Sequence, residues 1–403
     1  MIHSARALSE WLYSKLARVT STGEYVAAAD GFRFVSILAV LLDHSTYHFL
    51  ALRTGAKLGS EYFKHFDSGL VHFFYLGYVG VLLFFAISGF VLGLPFARAW
   101  LSGRRKPSLR QYFLRRVTRI EPPYILNLAI CFLFVGGLAY LAGRERPFVA
   151  SLFYLHNIVY GKYSSINNVA WSLEIEVQFY ILAPLLAYVF AVRSAFWRRS
   201  ILVSAMAAFG LLANFQLLPH GPAHLRYTLL SFLQYFLAGF LVADLYETGA
   251  LRRRGFLWDF IALTGAAGLV YGIGWQWSRT YWVLSFPILL MWIGGFRGRI
   301  ANWFFTRRPI AVIGGMCYTT YLWHNLLLSW SGGLFAAATP RSWPLAAQVL
   351  FANVITLPVL VAACAVLFYF TEKPFMGNRI PLWISEKRRE RREFKVAALA
   401  EQV

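Results

Sequence analysis

Acidic residues are scarce in this chain. Its 403 residues include 18 Asp and Glu against 39 Lys and Arg, and the four charged types together make up only 14%. Soluble domains carry nearer one quarter charged residues, which excludes an ordinary soluble globule. Cysteine is sparse too. Cys131, Cys317 and Cys364 all fall in apolar stretches, with no metal-ligand spacing and no two in one loop. A disulfide scaffold and a cysteine-based metal site are thereby excluded, and three packed thiols are expected. The chain has no G-x-S-x-G nucleophile turn, no internal repeat and no low-complexity domain. The net charge of +21 does not imply nucleic acid, because the basic residues cluster between apolar spans, where membrane topology explains them.

What the chain has in abundance is apolar surface: 58% of residues are hydrophobic, and the mean hydropathy is +0.53. The pattern predicts an all-α, polytopic membrane bundle of about ten helices. The spans begin near Phe32, Leu70, Pro122, Ala170, Ile201, Tyr227, Phe256, Thr280, Ile310 and Leu345. With both termini cytoplasmic, the inner segments hold 29 Lys or Arg and the outer segments 9, as the positive-inside rule requires. The first apolar run is too long for a secretory h-region, so no cleaved leader is expected. Three regions follow: residues 1–30 as a cytoplasmic segment, 31–376 as the membrane domain and 377–403 as a basic tail. Within the first, residues 5–19 form either an amphipathic surface helix or a poorly ordered tail. In the last, Ser385–Lys395 (SEKRRERREFK) suits the anionic inner leaflet.

Ionisable groups are costly inside a bilayer and mark function by default. Arg33 and His44 lie in the first span with ten residues between them. Eleven helical steps turn about 1100°, some 20° past three full turns, so the pair shares one face about 16.5 Å apart along the axis. A neutral imidazole can take a proton from a hydroxyl. Asp43 points about 100° away and is a poor orienting partner. Arg33, near the inner mouth, suits phosphate or simply snorkels to headgroups. The segment GVLLFFAISGF (Gly80–Phe90) contains Ser88 and Gly89, which permit either close helix approach or a local break in the helix. In RRVTRIEPPY (Arg115–Tyr124), Arg115, Arg116 and Arg119 form a basic cluster at the inner surface. It is either a phosphate site or a topology anchor, placed just before Pro122 starts or kinks the third span.

WSLEIEVQFY (Trp171–Tyr180) opens the fourth span, with Glu176 and Tyr180 on one face and Glu174 on another. A carboxylate there can orient a catalytic His, bind an acceptor hydroxyl or pair with an Arg of another helix. CYTTYLWHNLLL places His324 in the ninth span as a structural or supporting group. FYFTEKPFM ends the last span, where Glu372 and Lys373 suit a local ion pair. The longest outer segment, between Leu141 and Val169, carries Tyr154, His156, Asn157, Tyr160, Lys162, Tyr163, Asn167 and Asn168. That mixture suits sugars or an ordinary interfacial belt.

Taken together, six segments resemble the membrane-bound acyltransferase 3 family: GFRFVSILAVLLDH, GVLLFFAISGF, RRVTRIEPPY, WSLEIEVQFY, YTTYLWH and FYFTEKPF. They occur in the family's order from Gly31 to Phe375. The resemblance implies transfer of an acyl group, commonly acetyl, from cytoplasmic acyl-CoA to a hydroxyl of a surface or secreted glycan. It implies Arg33 and His44 as the essential pair, with His44 as general base or acyl relay. By the same resemblance, Arg116 and Arg119 are the Arg-x-x-Arg motif and Glu176 is the acidic residue of the Trp-Ser-Leu motif. Tyr124, Trp171, Tyr180, Ser88, His324 and Glu372 fall in a supporting shell. Acyl-CoA is expected as co-substrate, with no metal and no resident cofactor, in the inner membrane of a bacterium. Cys317 stands where the family usually has Ser, and Val177 where many members have a second polar residue. The competing class is a proton-coupled carrier of a small acid or lipid-linked sugar, against which stands the lack of an inverted repeat.

Overall fold

The computed structural model describes residues 10–19, 25–55, 69–134, 143–217, 223–280 and 283–376. The basic tail 377–403 and the first part of the amphipathic segment lie outside these described residues. Among the described residues the chain is helical throughout, without strands. Helix α1 spans residues 10–16. Then come α2 (Ala27–Thr54), α3 (Gly69–Tyr75), α4 (Val79–Leu101), α5 (Leu109–Phe134), α6 (Glu145–Leu152), α7 (His156–Tyr160) and α8 (Trp171–Leu186). The second half comprises α9 (Ala195–Leu217), α10 (Ala223–Arg226), α11 (Leu233–Glu247), α12 (Leu257–Thr280), α13 (Ser285–Arg297), α14 (Arg299–Phe305), α15 (Arg308–Gly315), α16 (Cys317–Ala338) and α17 (Leu345–Leu367).

Among the described residues six helical segments are long and apolar enough to cross a membrane: Ala27–Thr54, Gly69–Leu101, Leu109–Phe134, Asn168–Ala191, Ala195–Phe215 and Leu345–Phe375. Ten were expected from the sequence. The other four expected spans correspond to α11, α12, α13 and α16. Of these, α11 and α13 have 15 and 13 residues. By contrast α16 has 22 but carries Tyr, Thr, Trp, His, Asn and Ser along its length. Thr319, Thr320, Tyr321, Trp323 and His324 are buried in the bundle, while Ser329 and Trp330 are exposed; the inward polar face lowers the helix's apolarity without preventing its burial.

The central element is α2, which packs on α4, α15, α16 and α17. Apolar helices gain little from mutual burial in lipid, so close backbone approach does much of the packing. A Cβ added at Gly89 of α4 would stand 2.0 Å from the Phe236 carbonyl oxygen, and one at Gly239 of α11 2.1 Å from that of Ala86. The sequence expectation of close approach at Ser88-Gly89 is met there. Around this seam Phe85, Phe179 and Phe236 stack, while Phe32 of α2 lies between the rings of Trp292 and Phe305. At the far end of α2, Arg53 donates to Gln348 Oε1 and to the carbonyls of Ala336 and Thr339, tying α2 to the α16–α17 turn. Of the two roles expected for Pro122, starting or kinking the third span, the first is corrected: α5 starts at Leu109 and runs through Pro122 and Pro123. Each proline removes one helical donor. Just before them, the Tyr318 hydroxyl of α16 donates to the Ile120 carbonyl at 2.9 Å. All three arginines of the basic cluster therefore ride on the same helix as the apolar half of the span.

Candidate active site

Two polar groups line the central face of α2. The first lies in its opening turns. Asp30 is buried, and the Arg33 guanidinium three residues on, one helical turn away, bonds its Oδ1. Arg18, from the segment after α1, reaches the same oxygen at 3.1 Å. Burial, followed by the nearby Arg119 and Arg33 charges, lowers Arg18 to about 10. Arg119 of α5 pairs at 2.9 Å with Glu372, which is fully buried. The other oxygen of Glu372 accepts from Thr319 N and Thr319 Oγ1 of α16. The expected local pair of Glu372 with Lys373 is thus corrected. Here the chain leaves α17 through a π turn, Phe368–Glu372, which swings Glu372 inward. Lys373 points instead to the carbonyls of Ser14 and Lys15 at the end of α1. Cations from three separate segments, Arg18, Arg33 and Arg119, therefore meet two buried carboxylates at one end of the bundle.

The second group lies three turns further along α2. His44 Nδ1 is 2.7 Å from His324 Nε2 of α16, with ring centroids 4.9 Å apart. His324 Nδ1 in turn faces the backbone carbonyls of Thr320 and Tyr321 at 3.0 and 2.8 Å. A carbonyl can only accept, so His324 Nδ1 must carry a hydrogen. With both rings neutral, His324 Nε2 then has a lone pair and accepts from His44 Nδ1–H. That leaves His44 Nε2 as the atom with a free lone pair. One turn beyond, His48 Nε2 is 2.8 Å from Asn325 Oδ1, and the Asn325 amide donates to Asn168 at 2.9 Å. A polar line thus runs along the α2–α16 contact from Arg33 past His44 to Asn168.

The remaining sequence-predicted residues divide between these two groups and the frame. Glu176 is held by the Ser88 hydroxyl on α4, with Tyr180 also bonding to it, and the charges of Arg33 and Arg119 reach it. It belongs to the basic end; among the described residues His44's side-chain partner is His324. The Arg116 guanidinium lies 3.6 Å from the Tyr112 ring centre and donates to the Tyr112 carbonyl at 2.8 Å. Arg115, on the same helix, is half-buried. Tyr124 donates to the Ser151 carbonyl and stacks on Tyr154, and Trp171 stacks on Tyr78. Tyr124 thereby braces the connection between α5 and α8, while Trp171 packs against the start of α4. In the outer segment Asn157 and Asn167 are buried, binding Trp171 O and Asn127 rather than facing outward. The three cysteines are free and buried, as expected.

Sequence reasoning missed Asp30 and Arg18. An acid three residues before Arg33 on one helix was a readable signal for the first. No local pattern announced Arg18, whose partner Asp30 lies twelve residues further along the chain.

Comparison with known proteins shows the family. The model of the acyltransferase 3 family, described as an acyltransferase domain, matches residues 26–370. The O-acetyltransferase OatA of Staphylococcus aureus is 22% identical over 328 residues, covering 74% of this chain and 50% of that protein. The peptidoglycan O-acetyltransferase OatA of Listeria monocytogenes is 26% identical over 180 residues, covering 41% of this chain and 25% of its own length. Nodulation protein 10 of Rhizobium leguminosarum bv. viciae is 29% identical over 153 residues, covering 32% and 38%. The chain spans about half the length of the Staphylococcus relative. No solved structure matches it. The match covers every segment that contributes to the polar line of α2 and α16, and the chain belongs to the acyltransferase 3 family.

Proposed function

We propose that this protein is a membrane O-acyltransferase. It moves an acyl group, acetyl in the simplest case, from a CoA thioester to a hydroxyl of a glycan. The observation that carries this reading is the His44–His324 pair, whose hydrogen bonding leaves His44 Nε2 as the proton acceptor. In the reaction, Nε2 takes the proton of the acceptor hydroxyl as its oxygen attacks the thioester carbonyl. The tetrahedral intermediate collapses, the carbon–sulfur bond breaks, and the imidazolium returns its proton to the departing thiolate. The His324 ring supports the imidazolium through the same bond to Nδ1. Arg33, Arg119 and Arg115 give the donor's entry a positive field at the end of the bundle nearest the start of α2. A pantetheine arm of about 15–20 Å, at the reach of an extended chain, spans the distance from Arg33 to His44. Glu176, held by Ser88 and Tyr180, positions the basic end.

The related OatA proteins are O-acetyltransferases by name, one of them acting on peptidoglycan; a cell-wall or exported glycan is the proposed acceptor class here. The excess of basic residues on the segments facing the start of α2 supports a cytoplasmic donor side. Membranes holding the protein, given acetyl-CoA and a de-acetylated glycan, should release free thiol in proportion to glycan acetylation. Release of neither product in the presence of folded protein would refute the reading and return the carrier class to the lead.

A further inference from the structure

Arg116 and Arg119 are engaged by Tyr112 and Glu372, which leaves the phosphate-bearing end of the donor without an assigned seat. The same end of the bundle contains a cavity of about 690 Å³, within the usual range of small-molecule sites. Its floor includes Ala27 and Ala28 in the first turn of α2, about 120–140° around the helix from Arg33. Four guanidinium groups line it: Arg98 in the last turn of α4, Arg104 just after that helix, and Arg252 and Arg254 after α11. One carboxylate, Glu247, stands against them, 3.4 Å from Arg98 and bonded by Ser102. Tyr25 and Tyr246 add aromatic faces.

Resting on the acyl-CoA reading, we propose that this cavity binds a phosphorylated nucleotide, the adenosine bisphosphate end of the donor. Arginine forks match phosphate oxygens in pairs and far outweigh the single acid. The tyrosine rings suit a base, which stacks on an aromatic face. The volume exceeds what a lone phosphate needs. Tyr25 joins the cavity to the proposed catalytic line: burial, and then the neighbouring Asp30 carboxylate, push its phenol up to about 12. Asp30 is the residue that holds Arg33. An arm leaving the cavity past Tyr25 therefore meets Arg33 at the start of the face that leads to His44. Arg252 and Arg254 come from a loop about 200 positions after the end of α2, which is why no local motif announced this site.

The test uses the full chain in nanodiscs of phosphatidylcholine, titrated calorimetrically with adenosine 3′,5′-bisphosphate. The variant is Arg252→Ala with Arg254→Ala, both exposed and away from the helix contacts. Arg110→Ala, exposed on α5 outside the cavity, is the control. The expected result is binding by the wild type and the control, weakened at least about tenfold in the double variant as paired charge-assisted bonds are lost. Equal binding by the double variant, or none by the wild type, would overturn the proposal. In nanodiscs containing phosphatidylglycerol, retention of that lipid by the wild type but not the double variant, without competition from the bisphosphate, would make this a headgroup site and overturn it as well. The acyl-transfer assay separates this proposal from the reading beneath it. Nucleotide binding without acyl transfer keeps the cavity and removes the enzyme. Acyl transfer with the same acetyl-CoA KM in wild type and double variant keeps the enzyme and removes the cavity.

Discussion

Replacing His324 with alanine removes the acceptor for His44 Nδ1–H without touching the proposed base. His44 sits in the bundle interior, and a buried donor left without a partner costs about 1–3 kcal/mol. At about 1.4 kcal/mol per factor of ten in rate, kcat should fall about 5- to 150-fold. Removing the base itself, in His44→Ala, should cost about 10²- to 10⁴-fold, the usual contribution of general-base catalysis. KM for acetyl-CoA should change little in either, because the pair lies about 16.5 Å along α2 from Arg33. His324→Gln, whose amide oxygen can accept from Nδ1–H, should recover part of the loss. If His324 acts only through His44, the double variant should be no slower than His44→Ala alone. Thiol release from acetyl-CoA in membranes, with protein levels matched, reads all five proteins, wild type included. Full activity in His324→Ala, or losses that multiply in the double variant, would refute this role for the pair.

Other consequences follow from the frame. Glu372→Gln leaves the Arg119 guanidinium beside a neutral buried group and should lower stability by about 3–5 kcal/mol, seen as a lower melting temperature in detergent; an unchanged melt would mean that the pair does not hold α5 to α17. Gly89→Ala drives a methyl into the Phe236 carbonyl and should destabilise by about 1–3 kcal/mol by overpacking, again read by thermal melting, with a neutral effect showing that α4 and α11 can separate freely. The three buried thiols should resist a maleimide in the folded protein and all react after denaturation in detergent; fast labelling of the native protein would contradict their burial.

Much of this architecture was legible along the chain. Hydropathy located the long apolar helices, and helical geometry put Arg33 and His44 on one face of α2. The Gly89 seam was readable because a small residue in an apolar run has few other uses in a membrane. Other features were hidden for physical reasons. His44 and His324 are 280 residues apart, so their contact is decided by the docking of α16 on α2 and leaves no local trace. Glu372 looked like the partner of adjacent Lys373, but a π turn rotates the two apart, and Arg119 takes the carboxylate. Pro122 looked like a boundary because proline usually is one; α5 runs through it, and the neighbouring Ile120 carbonyl finds a donor on α16.

The account rests on His44 as the group that activates the acceptor hydroxyl. The most direct measurement is the mass of the exported glycan from cells carrying the wild type, His44→Ala or no copy, with both proteins quantified in the membrane. The account predicts an added acyl mass with the wild type alone, the variant being present at equal level and silent. A glycan of the same acylated mass with His44→Ala would contradict it.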